Sequence, residues 1–167
     1  LYKDELQSVI IAGPPSSGKT TERRDAVRQL STQDKLYKVA LIDERQEIAS
    51  INSGIPQNDV GINTDILDGY PKEKALMIAL RTLSPEIIAL DEVGDESEIE
   101  KIRLAVNSGV KFILTVHASD YSELLHRPQI GRLIETYSFN KLVMLKNNPV
   151  GEIEGIYDTK ELHDEII

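Results

Sequence analysis

The segment Gly13-Pro14-Pro15-Ser16-Ser17-Gly18-Lys19-Thr20 decides the fold of this chain, because it matches the pattern G-x-x-x-x-G-K-[ST] at every fixed position. An apolar run over residues 8–12 precedes the segment and predicts a short buried strand. Residues 19–30 predict the helix that follows. A glycine-rich loop at a helix N-terminus presents backbone N–H groups to an anion. The order of strand, loop and helix therefore predicts a phosphate-binding loop rather than a chance glycine-rich turn.

The loop predicts a separate task for each of its groups. Backbone N–H groups of residues 15–20 are expected to line the anion site. Lys19 is expected to reach the β- and γ-phosphates of ATP, and the Thr20 hydroxyl is expected to hold Mg²⁺. Thr21 assists from the next position or, alternatively, satisfies backbone donors at the helix start. The predicted nucleotide-binding residues are Gly13, Pro15, Ser16, Ser17, Gly18, Lys19, Thr20 and Thr21.

A second motif consists of two acids that directly follow an apolar run. Residues 87–90 predict a buried strand, and Asp91 and Glu92 come immediately after it. In phosphate-loop enzymes an aspartate at such a strand end holds Mg²⁺, and a neighbouring acid polarises the attacking water. The alternative is that Asp91 caps the next helix, which is predicted over 95–107. Together with the loop, the pair favours Asp91 as the partner of Thr20 at the metal and Glu92 as a catalytic residue.

Polar side chains also follow two other predicted strands. The run 38–42 ends in Asp43-Glu44-Arg45-Gln46-Glu47, and the strand 111–118 carries Thr115 and His117 at its polar end. Open α/β sheets bind ligands at the carboxyl ends of their strands, so Glu44, Glu47, Thr115 and His117 are candidate catalytic residues. Two alternatives stay open. The acids could open a short helix and complement its dipole, and the histidine could be a structural hydrogen-bonding residue.

The rest of the pattern predicts the fold class. Residues 52–71 are rich in turn formers and are predicted as the longest irregular segment. Helices are predicted over 72–83 and, as two short pieces, over 119–134. The runs 141–145 and 152–157 flank a turn and predict a hairpin. Alternating strands and helices predict a three-layer α/β domain with a mainly parallel sheet and a C-terminal β-hairpin. The strand ending at Thr115 is expected between the phosphate-loop strand and the strand ending at Asp91, which is the RecA-like order.

Composition narrows the class of protein. A length of 167 residues fits one domain, predicted over 1–158 with an acidic tail over 159–167. The net charge of −9 argues against a surface that coats nucleic acid. The chain has no cysteine, which excludes disulfides and fits a reducing cytoplasm. No apolar run approaches the roughly 20 residues of a membrane-spanning helix. Because the chain starts at Leu1 and enters its first strand almost at once, we expect that an N-terminal domain of the full-length protein is absent.

With these motifs laid out, the chain resembles the ATPase domain of the stage III sporulation protein AA family, which is related to the type II and type IV secretion ATPases. The resemblance covers residues from about 9 to 158. Its middle segments are specific to this family rather than to phosphate-loop proteins in general. The residues that carry the resemblance are 13–21, 41–48, 54–61, 64–69, 84–86, 89–92 and 115–118.

The resemblance implies a function and a setting. Members of this class form rings, commonly hexamers, on the cytoplasmic face of a membrane-embedded secretion channel. For the sporulation family the implied setting is the mother cell, where the motor would energise a channel to the forespore. Residues 43–47 resemble the acidic box of secretion ATPases, which supplies a water-activating glutamate, and His117 resembles their histidine box. The implied activity is a Mg²⁺-dependent ATPase with membrane-channel partners.

One departure from the family pattern and one missing group bear on the site. Glu22 and Arg23 stand where two apolar residues are expected after the phosphate loop. No arginine is recognisable as a finger within the cluster of strand ends, so a neighbouring subunit is expected to supply one. Arg81 and Arg45 are the candidates for that contribution in trans.

Three other functions are known for proteins with a phosphate loop, and the sequence disfavours each of them. A helicase-like RecA enzyme acting on nucleic acid is the main rival, and the acidic balance disfavours it. A small-molecule kinase would use Arg127 and Arg132 as a lid, but the adjacent Asp91 and Glu92 fit water attack better. A guanine-nucleotide switch is disfavoured because the run from Asn140 to Val143 lacks the aspartate of the Asn-Lys-x-Asp pattern.

Overall fold

The computed structural model describes residues 6–33, 35–93, 96–135 and 138–161. A π-helical turn, Ala79–Leu83, directly continues the second helix. The strands are β1 Ser8–Gly13, β2 Val39–Asp43, β3 Ile51–Asn52, β4 Ile55–Pro56, β5 Thr64–Asp68, β6 Ile87–Leu90, β7 Lys111–His117, β8 Phe139–Leu145 and β9 Ile153–Asp158. The helices are α1 Lys19–Leu30, α2 Lys72–Ile78, α3 Glu96–Asn107, α4 Tyr121–Leu125 and α5 Pro128–Glu135.

Seven of the strands form one sheet in the order β5-β2-β6-β7-β1-β8-β9. Neighbouring strands are parallel except β8 and β9, which form the antiparallel hairpin predicted at the C-terminal end. Strand β7 lies between β1 and β6, as the RecA-like order requires. The predicted fold class is confirmed. Because the central strands are parallel, the ends of β1, β2, β6 and β7 meet at one edge of the sheet.

The core lies on both faces of this sheet, because successive side chains of a strand point to opposite sides. Ile10 and Ala12 of β1 join a cluster with buried residues of α2, α3, α4 and α5. Ile11, between them, joins the second cluster with Val27 of α1 and with Ile48 and Val60 of the segment after β2. Helices therefore cover both faces, which gives the three layers.

The prediction that 52–71 is irregular was wrong for part of the segment. Strand β5 pairs in parallel with all five residues of β2, and β3 and β4 form a small separate hairpin. The local pattern hides β5 because it is an edge strand in which Leu67 alone is fully buried. Its stability comes from hydrogen bonds to a strand 25 residues earlier, and a local pattern does not contain that pairing.

Other element boundaries in the structure differ slightly from the predicted ones. The helix predicted over 72–83 changes to the π-helical turn after Ile78 and ends at Ser84, whose φ of 48° is left-handed. Helix α3 is described from Glu96, and Asp95 lies outside the described residues. Thr159, the first residue of the predicted acidic tail, is buried, and its hydroxyl donates to the carbonyl of Phe139 in β8. Residues 162–167 of that tail lie outside the described part. No described helix has the length and apolarity needed to cross a membrane.

Candidate functional site

The phosphate loop joins the end of β1 to the start of α1 and folds around the Lys19 side chain. The Lys19 Nζ donates to the carbonyl oxygens of Gly13 at 2.7 Å and Pro14 at 2.6 Å. Ser16 and Gly18 both have positive φ values, of 61° and 93°, which tighten the loop. Pro15 has no N–H. The expected row of donors therefore starts at residue 16, and Pro15 contributes only its fixed φ.

The hairpin turn between β8 and β9 packs against this loop. The Gly151 N–H donates to the Ser17 carbonyl at 3.0 Å. A Cβ added at Gly18 would lie 3.4 Å from the backbone of Gly151. At Gly13, a Cβ would lie 2.6 Å from the Ser17 Oγ, so that position requires glycine. The loop is thus held from both sides, by its own carbonyls and by the turn.

A cavity of about 330 Å³ opens beside the loop, and we call it the loop cavity. It combines the loop and α1 with residues from the ends of β6 and β7 and from the acidic segment after β2. The strands bring these together because Gly13 pairs with His117, and Ile11 with Thr115, in the β1–β7 register. The lining residues are Ser16, Ser17, Gly18, Lys19, Thr20, Thr21, Arg23, Arg45, Glu47, Asp91, Glu92, Thr115, His117 and Val150.

Most of the predicted site residues line this cavity. Glu47, Glu92, Thr115 and His117 face it together, and Thr20 and Asp91 belong to the same lining. Three predicted residues are not part of that lining: Gly13 and Pro15 of the loop, and Glu44 of the acidic segment.

Unpaired polar atoms are concentrated at the loop cavity. Within the described ranges, five buried side-chain nitrogen or oxygen atoms have no hydrogen-bond partner. Four of them belong to lining residues: Ser17 Oγ, Arg23 Nε, Asp91 Oδ1 and His117 Nδ1. A buried polar group without a partner costs about 1–3 kcal/mol. Their clustering at one place indicates a polar ligand that satisfies them.

A larger cavity, of about 580 Å³, lies between α3 and α5. Its lining includes exposed Glu96 and Arg132, which form an ion pair at 2.6 Å. None of the four unpaired atoms belongs to it. The larger cavity is therefore not the candidate site. The buried polar atoms without hydrogen-bond partners identify the loop cavity instead.

The acidic segment after β2 is a loop organised by Asp43, not the start of a helix. The buried Asp43 carboxylate accepts from the backbone N–H groups of Glu47 at 3.0 Å, Ile48 at 3.0 Å and Ala49 at 2.9 Å. The alternative in which these acids complement a helix dipole is therefore wrong. The loop turns Glu47 to the cavity, whereas the Glu44 carboxylate lies 3.8 Å from the Lys72 Nζ.

Lys72 lies among the acidic groups next to the loop cavity, at a place that the sequence does not predict. Its Nζ donates to the Glu92 carbonyl and lies 3.4 Å from Asp91 Oδ1. Carboxylates of Glu44 and Glu98 lie 3.8 and 3.9 Å away. The side chain is only 11% exposed. Lys72 comes about one helical turn after the end of β5 in the sequence. A prediction of that strand would therefore have placed this lysine at the ligand-binding edge of the sheet.

Arginines from three parts of the chain lie at the loop cavity or next to it, and Arg23 and Arg45 belong to its lining. Arg23 Nη1 donates to Thr115 Oγ1 at 3.4 Å. Arg45 Nε lies 3.9 Å from Asp91 Oδ2, and Arg127 Nη1 lies 3.5 Å from the Glu92 carboxylate. These contacts join groups that are distant along the chain, so the local sequence pattern does not predict them.

The two arginines of the hypothetical kinase lid are separated by the fold. Arg127 pairs with Glu92 and, at 2.8 Å, with Glu123. That hydrogen bond, together with the Ser119 N–H, lowers the pKa of Glu123 to about 2. Arg132 pairs with Glu96 outside the loop cavity. The pair therefore does not act as one lid over the site.

Burial changes the electrostatics of the two cations on α1. Desolvation lowers the pKa of Lys19, and the charge of Glu92 opposes that change. Desolvation also lowers the pKa of Arg23, opposed chiefly by Asp91 and then by Asp43 and Glu47. A guanidinium keeps its charge at any ordinary pH, so Arg23 is a buried cation.

The residues present fit Mg²⁺ held together with phosphate. No group of three or more acidic, histidine or cysteine ligands occurs in the part of the chain that the structure describes. Mg²⁺ does not need one, since it keeps several waters and is commonly held by one or two protein groups plus phosphate oxygens. Thr20 and Asp91 line the same cavity and provide such groups.

The family described as sporulation stage III, protein AA, matches residues 1–163. The chain belongs to this family. Stage III sporulation protein AA of Bacillus subtilis (strain 168) is 37% identical over 162 residues, covering 95% of this chain and 53% of that protein. The chain thus spans about half the length of this curated relative.

Solved structures of secretion ATPases share the fold. The VirB11 ATPase of the Brucella suis type IV secretion system matches 96% of this chain and 50% of its own, with 15% identity and a TM-score of 0.65. The pilus retraction motor PilT, solved with bound ADP, matches 96% of this chain and 51% of its own, with 16% identity and a TM-score of 0.64. At this identity the likeness establishes the RecA-like fold of the family member described here.

Proposed function

We propose that this chain is the ATP-hydrolysing domain of a Mg²⁺-dependent motor. The observation that carries the proposal is the convergence, on the cavity beside the phosphate loop, of four buried side-chain atoms without a hydrogen-bond partner. One of them, Asp91 Oδ1, still has the Lys72 ammonium at 3.4 Å. Two cations of α1, Lys19 and Arg23, lie at the same place and are themselves buried. A polyanionic ligand with a phosphate chain satisfies both the unpaired donors and the buried charge.

Each part of the site then has a task. The N–H groups of residues 16–20 and the Lys19 ammonium bind the phosphates, with Lys19 exchanging the carbonyls of Gly13 and Pro14 for phosphate oxygens. Thr20 and Asp91 would hold Mg²⁺, which supplies positive charge against the phosphate oxygens when bound. The turn at Gly151 packs against the phosphate loop and keeps the N–H groups of the loop oriented toward the phosphates.

The water-activating carboxylate is one of the two that line the cavity, Glu47 or Glu92. Glu44 is engaged by Lys72 and serves to hold the acidic segment in place. Thr115 and His117, at the end of β7, contact the terminal phosphate or the attacking water.

The finer setting of this motor is also a proposal, supported by the family and by the fold of its structural neighbours. In the full-length protein the domain works as a homo-oligomer, a hexameric ring, at the cytoplasmic face of a membrane. Its partners are the membrane-embedded proteins of a channel from the mother cell to the forespore. A motor that moves along nucleic acid is disfavoured, because the net charge of the chain is −9.

Lys19→Ala tests the proposal, with Lys101→Ala as the control. Lys19 contacts the phosphate loop, whereas Lys101 pairs with Glu73 on the surface. We expect Lys19→Ala to abolish Mg²⁺-ATP binding in calorimetry and turnover in a phosphate-release assay, because the phosphate chain loses its principal cation. The control should keep both. Unchanged ATP affinity and turnover in Lys19→Ala, with a folded protein by circular dichroism, would contradict the nucleotide site.

A further inference from the structure

The face of α1 that packs on the sheet carries two cations. The buried residues of this helix are Lys19, Arg23 and Val27, each four positions after the last, which places them on one face. Arg23 is only 3% exposed. An apolar side chain at this position would pack without any desolvation cost, so the charge itself needs an explanation.

The hydrogen bonds of Arg23 leave most of its capacity unused. A guanidinium has five N–H donors. The Nη1 makes a long bond of 3.4 Å to Thr115 Oγ1, and the buried Nε has no partner. Within the described residues no carboxylate lies within ion-pair distance of Arg23, although Asp91, Asp43 and Glu47 are near enough to favour its charged form. Arg23 is therefore not consumed by a structural ion pair.

The place of Arg23 identifies what would complete its contacts. The residue lines the loop cavity together with Lys19, Thr115 and His117. Lys19, one turn earlier on the helix, belongs to the phosphate loop, and Thr115 lies near the end of β7, opposite Ile11 of β1. A ligand group next to Arg23 is therefore expected to be an anion. It would lie farther along the ligand than the phosphate groups that the phosphate loop binds.

We propose that Arg23 binds the terminal phosphate of the nucleotide from within the same subunit, so that the site distinguishes a nucleoside triphosphate from a diphosphate. This inference rests on the proposed function. Arg23 and Lys19 enclose the terminal phosphate between two turns of one helix, and Thr115 orients the guanidinium through its hydroxyl. The buried charge is thereby compensated by the ligand.

Arg23→Met tests this inference, with Arg24→Met as its matched control. Methionine preserves the length and apolar packing of the stem and removes the charge, and Arg24 is outside the cavity lining. Affinities for Mg²⁺-ATP and Mg²⁺-ADP are measured by calorimetry on the wild-type chain and both variants, with thermal melts to verify folding. Arg23→Lys provides a second variant that retains a cation.

We expect Arg23→Met to weaken ATP binding by about tenfold or more, the value of a charge-assisted hydrogen bond to a buried group, while ADP affinity changes much less. Arg24→Met should leave both affinities unchanged, and Arg23→Lys should recover part of the preference for ATP. An unchanged ratio of ATP to ADP affinity in folded Arg23→Met overturns the inference and leaves the nucleotide site standing. A wild-type chain that binds neither nucleotide overturns the proposed function itself.

Discussion

Lys72 neutralises a group of carboxylates that would otherwise repel one another behind the loop cavity. Its Nζ lies between 3.4 and 3.9 Å from Asp91, Glu44 and Glu98, and also bonds the Glu92 backbone. The lysine thus joins the acidic segment, the end of β6 and helix α3 at one point. In the proposed reaction it sets the position of Asp91 without touching the nucleotide.

Lys72→Met is expected to lower the free energy of unfolding by about 2 kcal/mol, because it removes the ammonium that the largely buried carboxylates of Asp91 and Glu98 share. Millimolar Mg²⁺ should recover more stability in this variant than in the wild type, since the cation takes the place of the ammonium. Lys101→Met is the control, because the Lys101–Glu73 pair is more exposed and worth less than about 1 kcal/mol. Urea denaturation with and without Mg²⁺ measures both effects. Equal losses in the two variants would contradict the special position of Lys72.

At the scale of elements, the β8–β9 hairpin supports the phosphate loop. Its turn donates from Gly151 to Ser17 and places Val150 in the cavity lining. The sequence predicts this hairpin from its turn residues but does not show what the turn touches, because β8 reaches β1 only through long-range parallel pairing. Strand β5 is likewise held by long-range pairing and is not predicted from the sequence. For that reason the position of Lys72 is not predicted either.

Gly151→Ala is expected to weaken nucleotide binding several-fold by displacing the turn from the loop. Gly151 has φ of 82°, so alanine strains the backbone by about 1 kcal/mol. Gly109→Ala is the control, since Gly109 has φ of 88° and a Cβ there meets nothing within 4 Å. Both variants should lose similar stability in thermal melts, but only Gly151→Ala should lose affinity for Mg²⁺-ATP. A parallel loss of affinity in Gly109→Ala would show that the effect is general destabilisation.

At the scale of the whole molecule, the distribution of arginines bears on assembly. Arg23 and Arg45 line the loop cavity of their own subunit, and Arg127 pairs with Glu92 beside it. Arg81 lies in the π-helical turn that leads to the start of β6, whereas the cavity lies at the other end of that strand. Four residues of strand span about 13 Å. Of the two candidates for a contribution in trans, we therefore retain Arg81, and we expect Arg45 to act in cis.

Turnover per subunit is expected to rise with protein concentration, because an arginine finger from a neighbour is worth roughly 10³–10⁵ in rate. Arg81→Ala should remove most of the rise while leaving ATP affinity unchanged. Arg103→Ala, an exposed arginine of α3, is the control. Phosphate release is measured across a concentration series, with sedimentation of the same samples. Rapid hydrolysis by a demonstrated monomer at every concentration would contradict a requirement for assembly.

The α/β class, the phosphate loop and the Asp91-Glu92 pair are predictable from the sequence because each depends on local residue spacing, whereas the strand order around them is predicted by analogy with the RecA-like fold. The folded structure decides that Glu47 faces the cavity while Glu44 pairs with Lys72, because the turns of the loop between these two residues give their side chains different directions. It also decided that Arg23 is buried beside Thr115, 92 positions away in sequence. Burial and charge pairing depend on groups that are distant along the chain, and only folding brings those groups within ångströms of one another.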